Sequence, residues 1–283
     1  MQQIIVNTPL IKWTGSKRPI AKKIVSYFPR DIETYYEPFL GGGSVFFQLL
    51  RSDVNVKSFR LSDKNEALIN IFKIVKNSPQ ELILSYKEKW EWLQKEPEFF
   101  YEQRKRYNET QDPLIFYFLT RTCYNGTIRY NNKGDFNTSH HFGRPGMHPE
   151  KIEQVVLYYS DLMKGKDITF RCDSFENIIP ADDEDVVYID PPYTNTKALY
   201  FGYVDFEDVK SWVDSLKCSW FMNINGVNST DNEESMDVEH TGRVLLHSGN
   251  SSFSRMKGKN VDVGEYFYYK YLLGTSPPEA LAG

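Results

Sequence analysis

The sequence VVYIDPPY, residues 186–193, joins a short apolar run to an acidic corner. The β-branched and aromatic residues that precede Asp190 predict a buried strand. Pro191 and Pro192 have no backbone N–H, so a central strand must end before them. The stretch therefore places a carboxylate, two rigid carbonyls and the Tyr193 ring at the carboxyl end of a strand, where open α/β sheets bind ligands.

Such a corner suits an amino group on a purine, whose nitrogen lone pair is delocalised into the ring. The Asp190 carboxylate could accept one N–H of that group and the Pro191 carbonyl the other. Both bonds would favour a tetrahedral nitrogen with its lone pair free to attack, and Tyr193 could stack on the base. The alternative is a strand end followed by a Pro-rich turn, with Asp190 as a solvated or capping residue.

Length and composition limit the class of protein. The 283 residues suit one large domain, or one domain with a smaller insert. The longest apolar stretches, such as residues 115–119, are too short to span a membrane, and the N-terminus does not resemble a signal peptide. The cysteines are far apart and form no CxxC pair: Cys123, Cys172 and Cys218. We therefore expect a cytoplasmic protein without a membrane partner, a disulfide framework or a metal site.

The charge of the chain is unevenly distributed. The net charge of −4 counts mildly against nucleic-acid binding. Residues 182–185 and 231–239 are acidic, whereas residues 121–144 have a local basic excess with only Asp135 opposing it. The basic and histidine side chains of that segment are Arg121, Arg129, Lys133, Arg144, His140 and His141. This segment is the candidate interface for a polyanion.

Hydrophobic patterns predict an α/β sheet interrupted by a helical insert. Strands are predicted at 33–37, 56–61, 167–171, 186–189, 220–224 and 265–272, and helices at 20–28, 43–50 and 66–75. Residues 78–119 are helical in pattern, 121–147 indicate a polar loop or hairpin, and 248–260 a flexible loop. We therefore expect one Rossmann-like domain from residues 1–76 and 147–283, with residues 77–146 inserted as a second domain.

A glycine-rich turn follows the first predicted strand, in EPFLGGGS at residues 37–44. Glycines let the backbone approach a ligand, and a helix N-terminus favours a negative group. The pattern is neither GxGxxG nor a P-loop, which gives a dinucleotide site little support. The alternative is a tight turn whose glycines serve packing.

Asp63 lies about 20 residues after the glycine turn, at the end of the next predicted strand. An acidic side chain at this position accepts hydrogen bonds from ribose hydroxyls. The alternative is a helix N-cap before Glu66, and both roles are compatible.

The stretch KWTGSK, residues 12–17, precedes the first predicted helix. It lacks the preceding glycine of a Walker motif, so we reject a phosphate-binding loop. Trp13 could cover an adenine or another apolar ligand, and Lys17 could pair with a ligand carboxylate. The alternative is a buried tryptophan beside a solvated lysine.

Together these motifs resemble, in order and spacing, the Dam-like, alpha-group (D12 class) adenine-N6 DNA methyltransferases. The resemblance covers roughly residues 9–203, and beyond Tyr203 it is loose. It rests on WTGSK at 13–17, EPFLGGG at 37–43, Asp63, YNGTIRYN at 124–131, FNT at 136–138, FGR at 142–144, DSF at 173–175 and DPPY at 190–193.

The resemblance implies S-adenosylmethionine as methyl donor and assigns roles to single residues. Donor contacts are implied for Trp13, Lys17, Asp63 and Asp190, a pocket lining for Pro38, Phe39 and the Gly41 to Gly43 turn, and a place beside the donor adenine for Phe175. Catalysis is implied for Asp190, Pro191, Pro192 and Tyr193. Contacts with DNA are implied for Lys12, Tyr124, Asn125, Arg129 and Arg144.

The resemblance also implies a fold and a reaction. The sheet should be mostly parallel with one antiparallel strand, and residues 77–146 should form a helical target-recognition domain. The substrate should be double-stranded DNA, with the adenine flipped out because its N6 is otherwise base-paired. A cognate restriction endonuclease that acts on the same site is a further expected partner.

Other functions remain open at this point. Methylation of cytosine N4 or of RNA adenine also attacks an exocyclic amine. A non-catalytic DNA-binding protein could keep the same scaffold, whereas a nicotinamide or flavin oxidoreductase is disfavoured because GxGxxG is absent. Arg129 could instead form a surface salt bridge, and Tyr124 could be a core aromatic.

Overall fold

The computed structural model describes residues 7–192, 204–226, 238–250 and 262–272, in which the strands form one seven-stranded sheet. The strands are β1 Asp31–Glu37, β2 Asn55–Asp63, β3 Asp167–Cys172, β4 Val186–Ile189, β5 Ser219–Gly226, β6 Gly242–Asn250 and β7 Asp262–Lys270. Their order is β3-β2-β1-β4-β5-β7-β6. Only β7 runs against its neighbours, β5 and β6. The predicted mostly parallel, Rossmann-like sheet with one antiparallel strand is confirmed.

The helices of the described residues flank this sheet or form the insert. They are α1 Ala21–Val25, α2 Ser44–Leu50, α3 Glu66–Asn77, α4 Pro79–Lys95, α5 Phe99–Thr110, α6 Pro113–Thr122, α7 Pro149–Met163 and α8 Phe206–Ser215. Side chains cap two of these helices, because Asn65 accepts the backbone N–H of Leu68 and Asp112 that of Leu114. No helix in the described part of the chain combines the length and apolar character that crossing a membrane requires.

Several predicted elements were wrong in extent, including the strand predicted at 265–272, which spans Asp262–Lys270. The helix predicted at 20–28 ends at Val25, because Tyr27 and Phe28 donate to carbonyls three residues back and tighten the last turn. The loop predicted at 248–260 begins instead as strand β6, whose last residues pair with the start of β7. The rest of that predicted loop, residues 251–260, lies outside the described residues.

The strand that precedes Asp190 is at the centre of the sheet. All four residues of β4 are buried, as expected of a parallel strand covered on both faces. It pairs with β1 on one side and with β5 on the other. Asp190 therefore follows a rigid strand whose neighbours fix its position.

The helical insert shares a hydrophobic core with the helices that cover the sheet. Phe72 of α3, Phe118 of α6 and Val155 of α7 belong to one buried cluster. The hydroxyl of Tyr86 in α4 also donates to the carbonyl of Met147 at 2.7 Å. These helices are thus packed against the rest of the fold, and the division of residues 77–146 into a second domain stays a prediction.

Candidate active site

A pocket opens at the carboxyl ends of β1 and β4, where the strand order changes direction. Its volume, including the part open to solvent, is about 830 Å³, which suits a nucleoside-sized ligand. Among its lining residues are Trp13, Thr14, Gly15, Ser16, Lys17, Glu37, Pro38, Phe39, Leu40, Gly41, Gly42, Ser44, Asp63, Lys64, Asn65, Asp173, Phe175, Tyr188, Asp190, Pro191 and Pro192. The separate sequence motifs therefore meet at one place.

Trp13 packs directly on the glycine turn. A Cβ at Gly41 would lie 2.8 Å from the indole Nε1, and one at Gly42 would lie 2.9 Å from the tryptophan Cβ. Gly41 also has a φ of +47°, which side chains rarely adopt. The two glycines are thus required by contact with the tryptophan as well as by the turn.

Gly43 alone among the predicted donor-site residues does not line the pocket. Its φ is +66°, and a Cβ there would lie 3.2 Å from the rings of Phe47 and Phe72. The contact with these two rings and the positive φ therefore explain why this position is a glycine.

Asp63 fastens the glycine turn to the end of β2. One carboxylate oxygen accepts the backbone N–H of Gly41 at 2.9 Å, and the other accepts that of Asn65 at 2.9 Å. Burial raises the pKa of Asp63, and these two hydrogen bonds oppose the rise. The helix cap that the sequence offered as an alternative role for Asp63 belongs to Asn65, whose side chain accepts the N–H of Leu68.

An aromatic wall closes one side of the pocket. The rings of Phe39 and Phe175 lie 5.4 Å apart at 33°, and Trp212 supports Phe175 from behind at 5.3 Å. Lys64 Nζ lies 5.9 Å from the centre of the Phe175 ring. The wall offers a flat apolar face on which a base could stack.

Lys17 connects the first motif to Asp190, which follows β4. Its Nζ lies 2.9 Å from Asp190 Oδ1 and 3.3 Å from Glu265 Oε1, and it donates to the carbonyl of Gly15 at 3.3 Å. The Lys17 side chain is only 7% exposed, so the alternative of a solvated lysine was wrong. The same contact excludes a merely solvated Asp190.

Glu37 is a pocket residue to which the sequence analysis gave no role. It is buried at the end of β1, and the hydroxyl of Tyr35 donates to its Oε2 at 2.8 Å. Burial raises the pKa of Glu37 to about 8; the Tyr35 hydrogen bond opposes this rise, and the charge of Asp190 adds to it. The signal available in the sequence was a glutamate that ends a buried strand just before the glycine turn.

Of the other three predicted catalytic residues, the structure describes the two prolines. Pro191 is buried and Pro192 half-buried, and both line the pocket. Tyr193 lies outside the described residues.

The segment 121–144 presents several predicted DNA contacts to solvent. Tyr124 is 50% exposed and its ring stacks on His141 at 4.9 Å, so the core alternative for Tyr124 was wrong. Asn125 is exposed with a φ of 54°, in the left-handed region. Arg129 and Arg144 are exposed, and within the described ranges Arg129 forms no ion pair.

Two of the basic and histidine side chains of residues 121–144 are buried rather than exposed. Arg121 is only 2% exposed, because it lies on the last turn of α6 facing the core, where it donates to the Pro9 carbonyl at 3.1 Å. His140 is 6% exposed and stacks on Phe100. The exposed cations of the segment are Arg129, Lys133 and Arg144.

Lys12 lies between this segment and the pocket. Its side chain covers Gly126, where a Cβ would come within 2.5 Å of it. Burial lowers the pKa of Lys12, and the charges of Arg121 and Arg144 add to the effect. The segment also touches the pocket directly, since Ile128 donates its N–H to the Thr14 hydroxyl at 3.3 Å.

Comparison with known proteins agrees with this arrangement. A sequence profile of the D12 class N6 adenine-specific DNA methyltransferases matches residues 13–210. The chain is 35% identical over 223 residues to the Type II methyltransferase M.MjaIII of Methanocaldococcus jannaschii, covering 71% of this chain and 75% of that protein. It is 34% identical over 197 residues to the DNA adenine methylase of Escherichia coli K12, covering 68% and 67%. The predicted resemblance is confirmed, and the chain belongs to the D12 class N6 adenine-specific DNA methyltransferase family.

Proposed function

We propose that this site-specific adenine methyltransferase uses S-adenosylmethionine to methylate N6 of an adenine flipped out of double-stranded DNA. The family membership establishes the enzyme class and adenine N6 in DNA as the acceptor. The identity of the donor, the double-stranded substrate and the residue roles are our proposals. One observation carries them: Asp190, Pro191 and Pro192 line the same pocket as the glycine turn, Asp63 and Lys17.

The chemistry of the pocket fits the proposed donor. Asp63 would accept the ribose hydroxyls, the wall of Phe39 and Phe175 would hold the adenine, and Gly41 would let the backbone approach. Lys17 would attract the donor carboxylate, and the buried Glu37 would favour a cation. When bound, the donor supplies an activated methyl group on a sulfonium.

The residues that follow β4 would bind the amino group of the target adenine. Adenine N6 is paired inside duplex DNA, so the base must leave the stack to reach the pocket. Asp190 would accept one N–H of the amino group and the Pro191 carbonyl the other, which frees the nitrogen lone pair for attack. As the N–C bond forms and the C–S bond breaks, Asp190 would stabilise the positive charge on nitrogen until a proton leaves to solvent.

Residues 77–146 are proposed to recognise the target. Arg129 and Arg144 are exposed on a segment that contacts the pocket through Thr14, so DNA bound there would lie beside the pocket. Arginine suits guanine O6 and N7 or a phosphate, and Tyr124 or Asn125 can fill the space that a flipped base leaves. The three cysteines are free, as is usual in a reducing compartment, and we infer that the enzyme acts in the cytoplasm. A partner endonuclease stays a prediction.

Sequencing of DNA from cells that express the chain, by a method that detects modified bases, tests the function. The expected result is N6-methyladenine at one short sequence. Methylated cytosine N4, or modified RNA with unmodified DNA, would redirect the proposal to another exocyclic amine. Unmodified nucleic acid from a chain that still binds DNA would indicate a non-catalytic protein.

Asp63→Asn should weaken donor binding. The amide cannot accept all the hydrogen bonds of the carboxylate, so a ribose hydroxyl or a backbone N–H loses its partner at a cost of about 1–3 kcal/mol. Calorimetric titration with S-adenosylmethionine checks this, with the melting temperature as a control for the fold. Unchanged affinity would leave Asp63 with only its structural role of holding Gly41.

Arg129→Ala and Arg144→Ala should differ in kind. If Arg129 contacts a guanine edge, its loss should relax discrimination at one base pair by about 1–3 kcal/mol. If Arg144 meets phosphate, its loss should weaken all sequences equally and flatten the salt dependence. Competition binding against single-base-pair variants at several salt concentrations separates the two effects.

Lys57→Ala is the matched control for both arginines. Lys57 is an exposed cation near the amino end of β2, whereas the pocket lies at the carboxyl ends of the strands. Its loss should leave affinity and site choice unchanged. If the arginine variants behave like this control, recognition must be sought among α4, α5 and α6.

A further inference from the structure

Glu265 lies outside the residues that line the pocket and outside the matched family region, but its carboxylate contacts the same lysine as Asp190. Its Oε1 is 3.3 Å from Lys17 Nζ, which is itself 2.9 Å from Asp190 Oδ1. The side chains of Lys17, Glu265 and Asp190 are 7%, 16% and 19% exposed. In such a poorly solvated place these charges influence one another more strongly than they would at the surface.

The position of Glu265 follows from the one antiparallel strand. The carboxyl ends of β4 and β5 lie at the pocket edge, and β7 runs the other way, so the beginning of β7 lies at the same edge. A glutamate near the start of β7 thus reaches the same cation as the aspartate that follows β4.

A second set of contacts holds Glu265 in place. Asn223 of β5 donates from Nδ2 to Glu265 Oε1 at 2.9 Å, and the Tyr188 hydroxyl donates to Asn223 Oδ1 at 2.9 Å. Asn223 and Tyr188 are fully or almost fully buried. A buried, satisfied chain of this kind orients its last member rigidly.

Lys17 contacts the two carboxylates through the same ammonium group. An ammonium has three donors, and Asp190, Glu265 and the Gly15 carbonyl are all within reach. Without Glu265, Lys17 would have one carboxylate fewer to pair with and would draw more strongly on that of Asp190. A carboxylate that is fully paired with a cation is a weaker acceptor for the amino group of a base.

We propose that Glu265 is a positioning residue for methyl transfer. By pairing with Lys17 alongside Asp190, Glu265 keeps Asp190 oriented and able to accept a hydrogen bond from the target amino group. This inference rests on the proposed role of Asp190. It concerns the rate of the transfer step rather than the affinity for donor or DNA.

Glu265→Gln is the decisive variant, because the amide can still accept from Asn223 and Lys17 but has no charge. With donor and DNA saturating, we expect the single-turnover rate constant to fall about tenfold or more. The dissociation constants for S-adenosylmethionine and for DNA should stay within about threefold of the wild type. The matched control is Glu239→Gln. Glu239 is an exposed partner of Lys270, which lies on β7 like Glu265, and its substitution should leave the rate unchanged.

Combination with Lys17→Met tests the route of the effect. If Glu265 acts through Lys17, the second substitution should add almost nothing to the first, a clear departure from additivity. A Glu265→Gln rate within twofold of the wild type would overturn the inference. So would an unchanged effect in the Lys17→Met background, or a loss that appears entirely in donor affinity. Failure of the proposed function is distinguishable, because the wild type itself would then transfer no methyl group to adenine N6.

Discussion

Asp190→Ala should abolish methyl transfer while leaving the protein folded. The substitution removes the acceptor that the amino group of the target base needs in the transition state, an effect of about 3 kcal/mol or more on the barrier. Lys17 would keep its contacts with Glu265 and the Gly15 carbonyl, so no buried cation is left without a partner. Single-turnover transfer measured with saturating donor and DNA checks the expected loss of at least a hundredfold.

Asp185 provides the matched control at the opposite end of the same strand. Its carboxylate is buried and accepts the backbone N–H groups of Thr34 and Ala181 at 3.0 and 3.1 Å, far from the pocket edge. Asp185→Ala should lower the melting temperature without lowering the rate per folded molecule. Near-wild-type turnover in Asp190→Ala, or equal losses of rate in both variants, would remove Asp190 from the chemistry.

The sequence was sufficient for the fold class and for most of the pocket. Asp63 and Asp190 are distant in the chain but meet because the ends of parallel strands share one edge of a sheet, and each ends or follows a predicted strand. Trp13 precedes the first helix and joins them by packing on the glycine turn after β1. Local signals, such as two prolines after an apolar run, predict strand ends well. The strand-end motifs therefore predicted where the pocket lies, and the resemblance to the methyltransferase family assigned the other residues of the proposed donor site.

What the sequence could not predict depends on side-chain direction and strand register. Arg121 was counted as a surface cation, but the rotation of α6 points it into the core. Glu265 reaches Lys17 only because β7 is antiparallel and begins at the pocket edge. The polar residues at the end of β6 indicated a loop, but pairing with β7 satisfies their backbone. Each of these facts is set by tertiary contacts rather than by a local pattern.

Glu37 should make the stability of the protein depend on pH. The pKa of Glu37 is about 8 in the folded protein, against an ordinary value of 4.5. Between these values the unfolded chain binds fewer protons than the native state, so stability should fall as the pH rises through that range. Each pH unit of the range is worth about 1.4 kcal/mol, and this one carboxyl should contribute on the order of 3–5 kcal/mol across it. Denaturant unfolding at a series of pH values measures the effect.

Donor binding should have the opposite dependence on pH. The sulfonium of S-adenosylmethionine favours the ionised form of Glu37, and binding should therefore lower the pKa of Glu37 and release a proton. By linkage, donor affinity should rise as the pH approaches about 8, the pKa of Glu37 in the free protein, from below. Calorimetry in buffers of different ionisation heat would detect the released proton directly.

Glu37→Gln tests whether the pH dependence of stability and that of donor affinity both arise from this carboxyl. The amide can still accept from the Tyr35 hydroxyl but does not titrate, so both the fall in stability and the rise in donor affinity should flatten. Glu33→Gln is the matched control, since Glu33 lies on the same strand and pairs with Lys57 at the surface. If Glu37→Gln kept the wild-type pH profiles, or if Glu33→Gln changed them equally, the buried carboxyl could not be the group that responds to pH. A flattened stability profile with an unchanged donor profile would instead show that Glu37 titrates without meeting the charge of the donor.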